Sequence, residues 1–216
     1  MRLVLVWQLL GLRYIGVKQL FVRFCGCNLN CKYCDTDFGA EKSLKYSVEE
    51  LLNKVNEHKD CHSISLTGGE PLLQINFLKE FLPKCDLPIY LETNGTLANE
   101  LEEIIDYIDY ISADIKLPSA TYIEPLWDKH YEFFSVASKK ILFAKIVFDE
   151  KIMEDEINKA VELVSKYNIE LILQPKSDKD FVVKNVTFAE DIFDKFLKRY
   201  KRVRLIPQVH KYMNVR

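Results

Sequence analysis

Cys27, Cys31 and Cys34 stand at C-x3-C-x2-C spacing, close enough for one compact loop to aim three thiolates at a common point. A structural zinc ion takes four such ligands, usually as two separated pairs. No second Cys/His pair follows downstream. Thiolates are also the usual ligands of iron-sulfur clusters, and three of them on a four-iron cluster leave one iron open to an outside ligand. Cys25, Cys61 and Cys85 bring the cysteine count to six, an even number that invites a disulfide reading. Four cysteines within ten residues, in a chain long enough to need no staples, argue against it.

A loop of this kind needs a scaffold, and the sequence supplies one by alternation. Short apolar runs rich in β-branched residues fall at 19–24, 63–67, 89–93, 110–114, 144–148, 170–174 and 203–207. Between them, helical periodicity appears at 48–58, 75–84, 99–105, 155–167 and 188–200. Ser47 and Glu50 have capping-box spacing at the first helix. In the fourth, Ile157, Val161 and Val164 share one face. Strand and helix in alternation imply a mostly parallel sheet with ligands at the C-terminal strand ends. Polar and small residues gather at those ends: Cys25 onward, Gly68-Gly69-Glu70, Asn94-Gly95, Asp114 with Lys116, and Gln174-Pro175-Lys176. The stretch 116–127 is the least regular. The expected fold is α/β, a trimmed (β/α) barrel in a single domain over 1–216, because 216 residues fall short of the roughly 250 of a complete eight-fold barrel.

Composition narrows the classes. The 30 Lys and Arg against 32 Asp and Glu give a net charge of −2, which argues against a nucleic-acid binder. A hydrophobic share of 48%, with 7 Gly and 7 Pro, is globular. The apolar first sixteen residues resemble a signal peptide, but the run is short, lacks a small-residue cleavage site and leads at once into a strand. No stretch reaches the roughly 18 to 20 apolar residues of a membrane span. The expected location is the reducing cytoplasm.

The cysteine loop, with Tyr33 before the third cysteine and Gly68-Gly69-Glu70-Pro71 one strand later, resembles the radical S-adenosylmethionine (SAM) superfamily. The resemblance implies a 4Fe-4S cluster on Cys27, Cys31 and Cys34 whose open iron chelates SAM. It also implies that the Gly-Gly-Glu-Pro backbone meets the SAM amino group. From about Tyr14 to the C-terminus the chain is similar to the 7-carboxy-7-deazaguanine synthase family of queuosine and deazapurine biosynthesis. That similarity rests on Phe21-Val22-Arg23-Phe24, Gly26-Cys27-Asn28-Leu29, Cys34-Asp35-Thr36, Thr67-Gly68-Gly69-Glu70-Pro71-Leu72, Glu92-Thr93-Asn94-Gly95-Thr96, Pro207-Gln208 and His210-Lys211.

This second resemblance implies a radical ring contraction of 6-carboxy-5,6,7,8-tetrahydropterin to 7-carboxy-7-deazaguanine with loss of ammonia. It assigns Tyr33, Cys34, Asp35, Gly68, Gly69, Glu70, Asn94, Asp114, Lys116 and Gln174, Pro175, Lys176, Ser177 to SAM. Arg23, Thr67 and the chain end at Arg216 fall to the pterin. The Thr36 hydroxyl falls to a magnesium ion, which prefers oxygen donors. A flavodoxin- or ferredoxin-like electron donor and a homodimer are implied as well. Each role has a plainer rival. Arg23 can pair with Glu92, Thr36 can cap a turn, Lys116 can stand solvated at a loop start, and His210 can be structural. Cys25 reads as a small packing residue, since a ligand there needs a spacing the family does not use. Cys61 and Cys85 read as buried small hydrophobes.

One departure stands out. Where the family carries a Gln-Gly-Glu-Gly segment that grips the pterin, this chain has Leu9-Leu10-Gly11-Leu12, then a family-like Arg13-Tyr14-Ile15-Gly16. A different substrate, a grip supplied by other residues, and an altered N-terminus all account for it. The rival functions are a small activating enzyme that makes a glycyl radical on a protein, and a zinc-bound or degenerate binding module.

Overall fold

A computed structural model of the chain describes residues 1–10, 15–34, 43–177 and 185–209. The strands are β1 (Arg2–Leu10), β2 (Ile15–Phe24), β3 (Leu44–Lys45), β4 (Ser63–Gly68), β5 (Ile89–Thr93), β6 (Tyr110–Asp114), β7 (Ile141–Phe148), β8 (Glu170–Pro175) and β9 (Val203–Leu205). The α-helices are α1 (Val48–Asn56), α2 (Ile75–Phe81), α3 (Ala98–Ile104), α4 (Pro118–Thr121), α5 (Trp127–Ala137), α6 (Glu154–Lys166) and α7 (Val186–Arg199). Among the described residues the nine strands form one open sheet in the order β3-β1-β2-β4-β5-β6-β7-β8-β9. From β2 to β9 every neighbouring pair is parallel. These seven parallel strands are the seven apolar runs of the sequence, and the sheet is the expected trimmed barrel.

Side chains alternate across such a sheet, and here the two faces differ in chemistry. Leu20, Val22, Phe24, Ile64, Leu66, Leu91, Ile111, Ala144 and Ile146 share the face that packs into the main apolar core. The helices cover that face: Phe77 of α2 meets Phe24 edge-on, ring centroids 6.2 Å apart. On the opposite face, the register sets Arg23 beside Thr67, Glu92 beside Ser112, Asp114 beside Lys145, and Val147 beside Gln174. The upper half of this inner face is polar, and the C-terminal strand ends open above it.

The capping box at α1 forms as its spacing predicts. Ser47 Oγ accepts from the Glu50 amide at 3.2 Å, and the Glu50 carboxylate accepts from the Ser47 amide at 2.7 Å. In α6, Ile157 and Val164 are buried and Val161 is half-buried.

Three expectations need correction. The first sixteen residues do not merely precede a strand at 19: they supply β1, which pairs antiparallel with a longer β2 from Leu3↔Phe24 to Leu10↔Ile15. A short apolar run beside an equally apolar partner is satisfied as a hairpin. Helix α5 was not anticipated, because Trp, His, Tyr and Phe within it are weak helix formers. Its inner face is nevertheless regular, with His130, Phe133, Phe134 and Ala137 buried. The irregular stretch 116–127 contains α4.

Candidate functional site

The cysteine loop begins at the end of β2 and is sewn to the turn that ends β4. The Gly69 amide donates to the Phe24 carbonyl at 3.0 Å, and the Glu70 amide donates to the Gly26 carbonyl at 2.9 Å. Those N–H groups are therefore occupied, and the Glu70 carbonyl in turn accepts from the Leu73 amide at 3.3 Å. Contact this close demands glycine. Gly68 has φ +123°, and a Cβ there would lie 2.2 Å from the Phe24 carbonyl oxygen.

Within the loop, the Cys34 amide donates to the Cys31 carbonyl at 3.0 Å and the Lys32 amide to the Thr121 carbonyl at 3.0 Å. Cys27 and Cys31 are half-buried and Cys34 is exposed. Burial raises the Cys31 thiol above its ordinary value. The Lys116 ammonium opposes that rise, and the neighbouring Cys34 and Cys27 add to it. The three sulfurs thus feel one another. Among the described residues no three His, Cys, Asp or Glu side chains converge tightly enough to hold a single metal ion. Three thiolates on one loop are the ligand chemistry of an iron-sulfur cluster. These residues fit a cluster.

Glu70 serves the frame. Its fully buried carboxylate accepts from the Leu72 amide at 3.1 Å, the Thr93 hydroxyl at 2.9 Å and the Asn94 amide at 2.7 Å. Burial pushes its pKa up to about 7 against those three donors. Its side chain therefore ties β4 to β5, and only its backbone faces the cysteine loop.

The loop after β6 carries the strongest charges. Asp114 lies 2.7 Å from the Lys116 ammonium and 2.8 Å from that of Lys145. Burial works against the Asp114 carboxylate, but the two lysines outweigh it and hold the group below the usual carboxylate range. Lys116 also reaches the Tyr33 hydroxyl at 3.3 Å, so the plainer reading of a solvated lysine fails; its side chain is 11% exposed. Beneath it His130 bridges two strand ends, accepting from the Lys116 amide at 3.1 Å on Nε2 and meeting the Gly95 carbonyl at 2.9 Å through Nδ1. A carbonyl accepts and an amide donates, so the ring is the neutral Nδ1–H tautomer. Burial lowers its pKa to about 4.

Arg23 does not pair with Glu92. Its buried Nε has no hydrogen-bond partner, while Glu92 accepts from the Thr67 hydroxyl at 3.4 Å. A buried guanidinium nitrogen without a partner, on a polar inner face, leaves Arg23 able to meet an anion.

At the ends of β7 and β8, Pro175, Lys176 and Ser177 line a cavity of about 280 Å³ with Phe148, Asp149 and Phe188. Not all of the side chains in 174–177 are free for a ligand. The Gln174 amide donates to the Pro207 carbonyl at 3.4 Å, and the Ser177 hydroxyl donates to Gln208 Oε1 at 2.8 Å. Gln208 thus anchors the C-terminal segment. Asp35, Thr36, His210, Lys211 and Arg216 lie outside the described residues. Cys25 is half-buried, Cys61 is buried and Cys85 is half-buried.

Sequence reasoning missed four members of the site. Lys145 interrupts an apolar strand at an inward position, a signal that was available. His130 sits in the unanticipated helix. Asn28 and Thr96 were quoted in motifs without a role. Asn94 Nδ2 donates to Asn28 Oδ1 at 2.7 Å, Asn28 Nδ2 donates to the Thr96 hydroxyl at 3.0 Å, and that hydroxyl donates to Asn94 Oδ1 at 2.6 Å.

Residues 21–170 match the profile described as the Radical SAM superfamily. The chain is 36% identical to the 7-carboxy-7-deazaguanine synthase of Geobacter sulfurreducens, over 92% of this chain and 90% of that one. Against the Archaeoglobus fulgidus protein of the same name the identity is 36%, over 94% and 92%. Among solved structures, Streptococcus suis SuiB bound to its precursor peptide SuiA superposes with a TM-score of 0.61 at 15% identity, over 90% of this chain and 50% of SuiB. SuiB bound to S-adenosylmethionine gives 0.57 at 16% identity, over 87% and 48%. At these identities the likeness is one of fold, and this chain spans about half of SuiB.

Proposed function

This chain belongs to the radical SAM superfamily and, within it, to the 7-carboxy-7-deazaguanine synthase family, and we propose that it converts 6-carboxy-5,6,7,8-tetrahydropterin to 7-carboxy-7-deazaguanine with loss of ammonia. The observation that carries the reading is 36% identity along nine-tenths of both chains. When bound, the cluster supplies one-electron cleavage of SAM and hence the radical that takes a hydrogen from the substrate.

The chain's own residues have distinct tasks. Cys27, Cys31 and Cys34 hold the cluster. Gly68, Gly69 and Glu70 present backbone carbonyls to the SAM amino group. Tyr33, Asp35, Asn94, Asp114 and Lys116 wall the SAM pocket, and Gln174 to Ser177 bound it on the far side. Arg23 forks onto the substrate carboxylate, and Thr67 hydrogen-bonds the pterin. Thr36 holds magnesium and Arg216 closes the pocket. Residues 1–216 work as one domain, in a homodimer in the cytoplasm, reduced by a flavodoxin- or ferredoxin-like donor. Among the described residues no helix is long and apolar enough to cross a membrane.

Glu92 and Arg23 on the inner face give a pterin opposite charges to bind, a grip that does not depend on the missing N-terminal glutamate. Anaerobic incubation with the carboxypterin, SAM, magnesium and dithionite is expected to yield the deazaguanine. Cleavage of SAM with the pterin untouched overturns the substrate. A protein that takes up zinc in place of iron overturns the class.

A further inference from the structure

The ring formed by Asn28, Asn94 and Thr96 closes on itself, each group donating once and accepting once. Such a ring can run in either sense, because turning over both amides and the hydroxyl yields the same three bonds. Cys27 breaks the tie. Its sulfur lies 3.8 Å from Asn94 Nδ2, so the observed sense points an N–H at sulfur, whereas the reverse sense would set Asn94 Oδ1 against it. A sulfur that carries negative charge admits only the first arrangement. The Leu29 amide donates to the same sulfur at 3.4 Å. The contact of Cys27 Sγ with Asn28 Oδ1 at 3.9 Å needs the thiol proton and is given up once iron takes its place. Among the described residues, Cys27 is the one cysteine of the three whose sulfur receives such donors.

N–H groups aimed at a ligand sulfur stabilise the more negative, reduced state of a cluster and raise its reduction potential. We infer that Asn28, Asn94 and Thr96 form a positioning ring that orients one N–H onto Cys27 and thereby sets how easily the cluster accepts its electron. The inference rests on the cluster reading proposed above. Asn94 and Thr96 are buried, at 5% and 7% exposure, and the exposed Asn28 closes the ring at the opening.

The test is a potentiometric titration of the reconstituted protein followed by electron paramagnetic resonance, with iron content measured alongside. Thr96→Val keeps the shape and removes the hydroxyl. About tenfold less reduced cluster is expected at a fixed potential, a midpoint about 59 mV lower for one electron. Asn28→Ala should shift the midpoint the same way, and Thr96→Ser should restore it. Midpoints equal to native in both Thr96→Val and Asn28→Ala, with full iron, overturn the proposal. A shift in Asn28→Ala alone also overturns it, since the ring then does not act as a unit. Native protein that binds no iron refutes the cluster reading itself, a separate result.

Discussion

His130 Nδ1 lies 2.9 Å from the carbonyl oxygen of Gly95, with the ring wholly buried. Gly95 has a φ of +67°, a left-handed conformation that favours glycine, and a Cβ there would sit 3.4 Å from that same nitrogen, at the edge of ordinary contact. Through Nε2 the ring also receives the Lys116 amide, so one side chain from α5 locks the ends of β5 and β6 together. Those are the ends that present Asn94, Asp114 and Lys116.

His130→Phe fills the ring volume but leaves the Gly95 carbonyl and the Lys116 amide without partners. Each stranded group costs about 1 to 3 kcal/mol. Urea unfolding is expected to show a loss of about 2 to 6 kcal/mol, with SAM binding weakened in the reconstituted protein. His130→Gln carries one donor and one acceptor and should recover most of both. Equal stability of native protein and the Phe variant in the same titration would refute the bridge.

Gly68→Ala places a methyl where the Phe24 backbone already stands, at 2.2 Å from its carbonyl oxygen. The clash is with main chain, so no side chain can swing away. The loss should exceed about 4 kcal/mol, in the exceptional range for one substitution. Circular dichroism melting is the measurement, and a variant melting within a few degrees of native contradicts the approach of β2 and β4.

Asp114→Asn leaves Lys116 and Lys145 facing each other without the carboxylate they share. Breaking a buried pair from one side costs about 3 to 5 kcal/mol. Lys145→Met in the same background should return part of that loss by removing one of the two ammonium groups. Additive losses in the double variant would mean that the three residues do not form one charge network.

Much of this was legible beforehand, and the boundary has a physical cause. Runs buried on one side by helices announce themselves as continuous β-branched stretches, which is why all seven parallel strands were readable. The glycines and cysteines at the strand ends were readable because their chemistry leaves few other uses. What escaped depends on distance in three dimensions. Nothing local to His130 says that it faces Gly95, 35 positions away. Nothing local to Asn28 says that it meets Thr96, 68 positions on. Arg23 and Glu92 face inward two strands apart, and only the register and side-chain geometry show that they do not pair.

Two buried groups make opposite demands on pH, and together they hide each other. Glu70 titrates near 7 in the folded chain against an ordinary value of 4.5, so between pH 4.5 and 7 the folded state holds a proton that the unfolded state has released. Its contribution to stability is therefore present at low pH and lost as pH rises through that window. His130 titrates near 4 against 6.5, so between pH 4 and 6.5 the unfolded state binds a proton that the folded state refuses. Its contribution is lost as pH falls. Each amounts to about 3 kcal/mol across its window, at 1.36 kcal/mol per pKa unit. From pH 4.5 to 6.5 the two slopes oppose, and their joint effect on native stability is expected to be nearly flat. Glu70→Gln should unmask the histidine, with melting temperature rising from pH 4.5 to 6.5. His130→Phe should unmask the glutamate, with melting temperature falling over the same range. Parallel pH series on the two variants decide the matter: slopes of the same sign in both would show that these groups do not govern stability in this range.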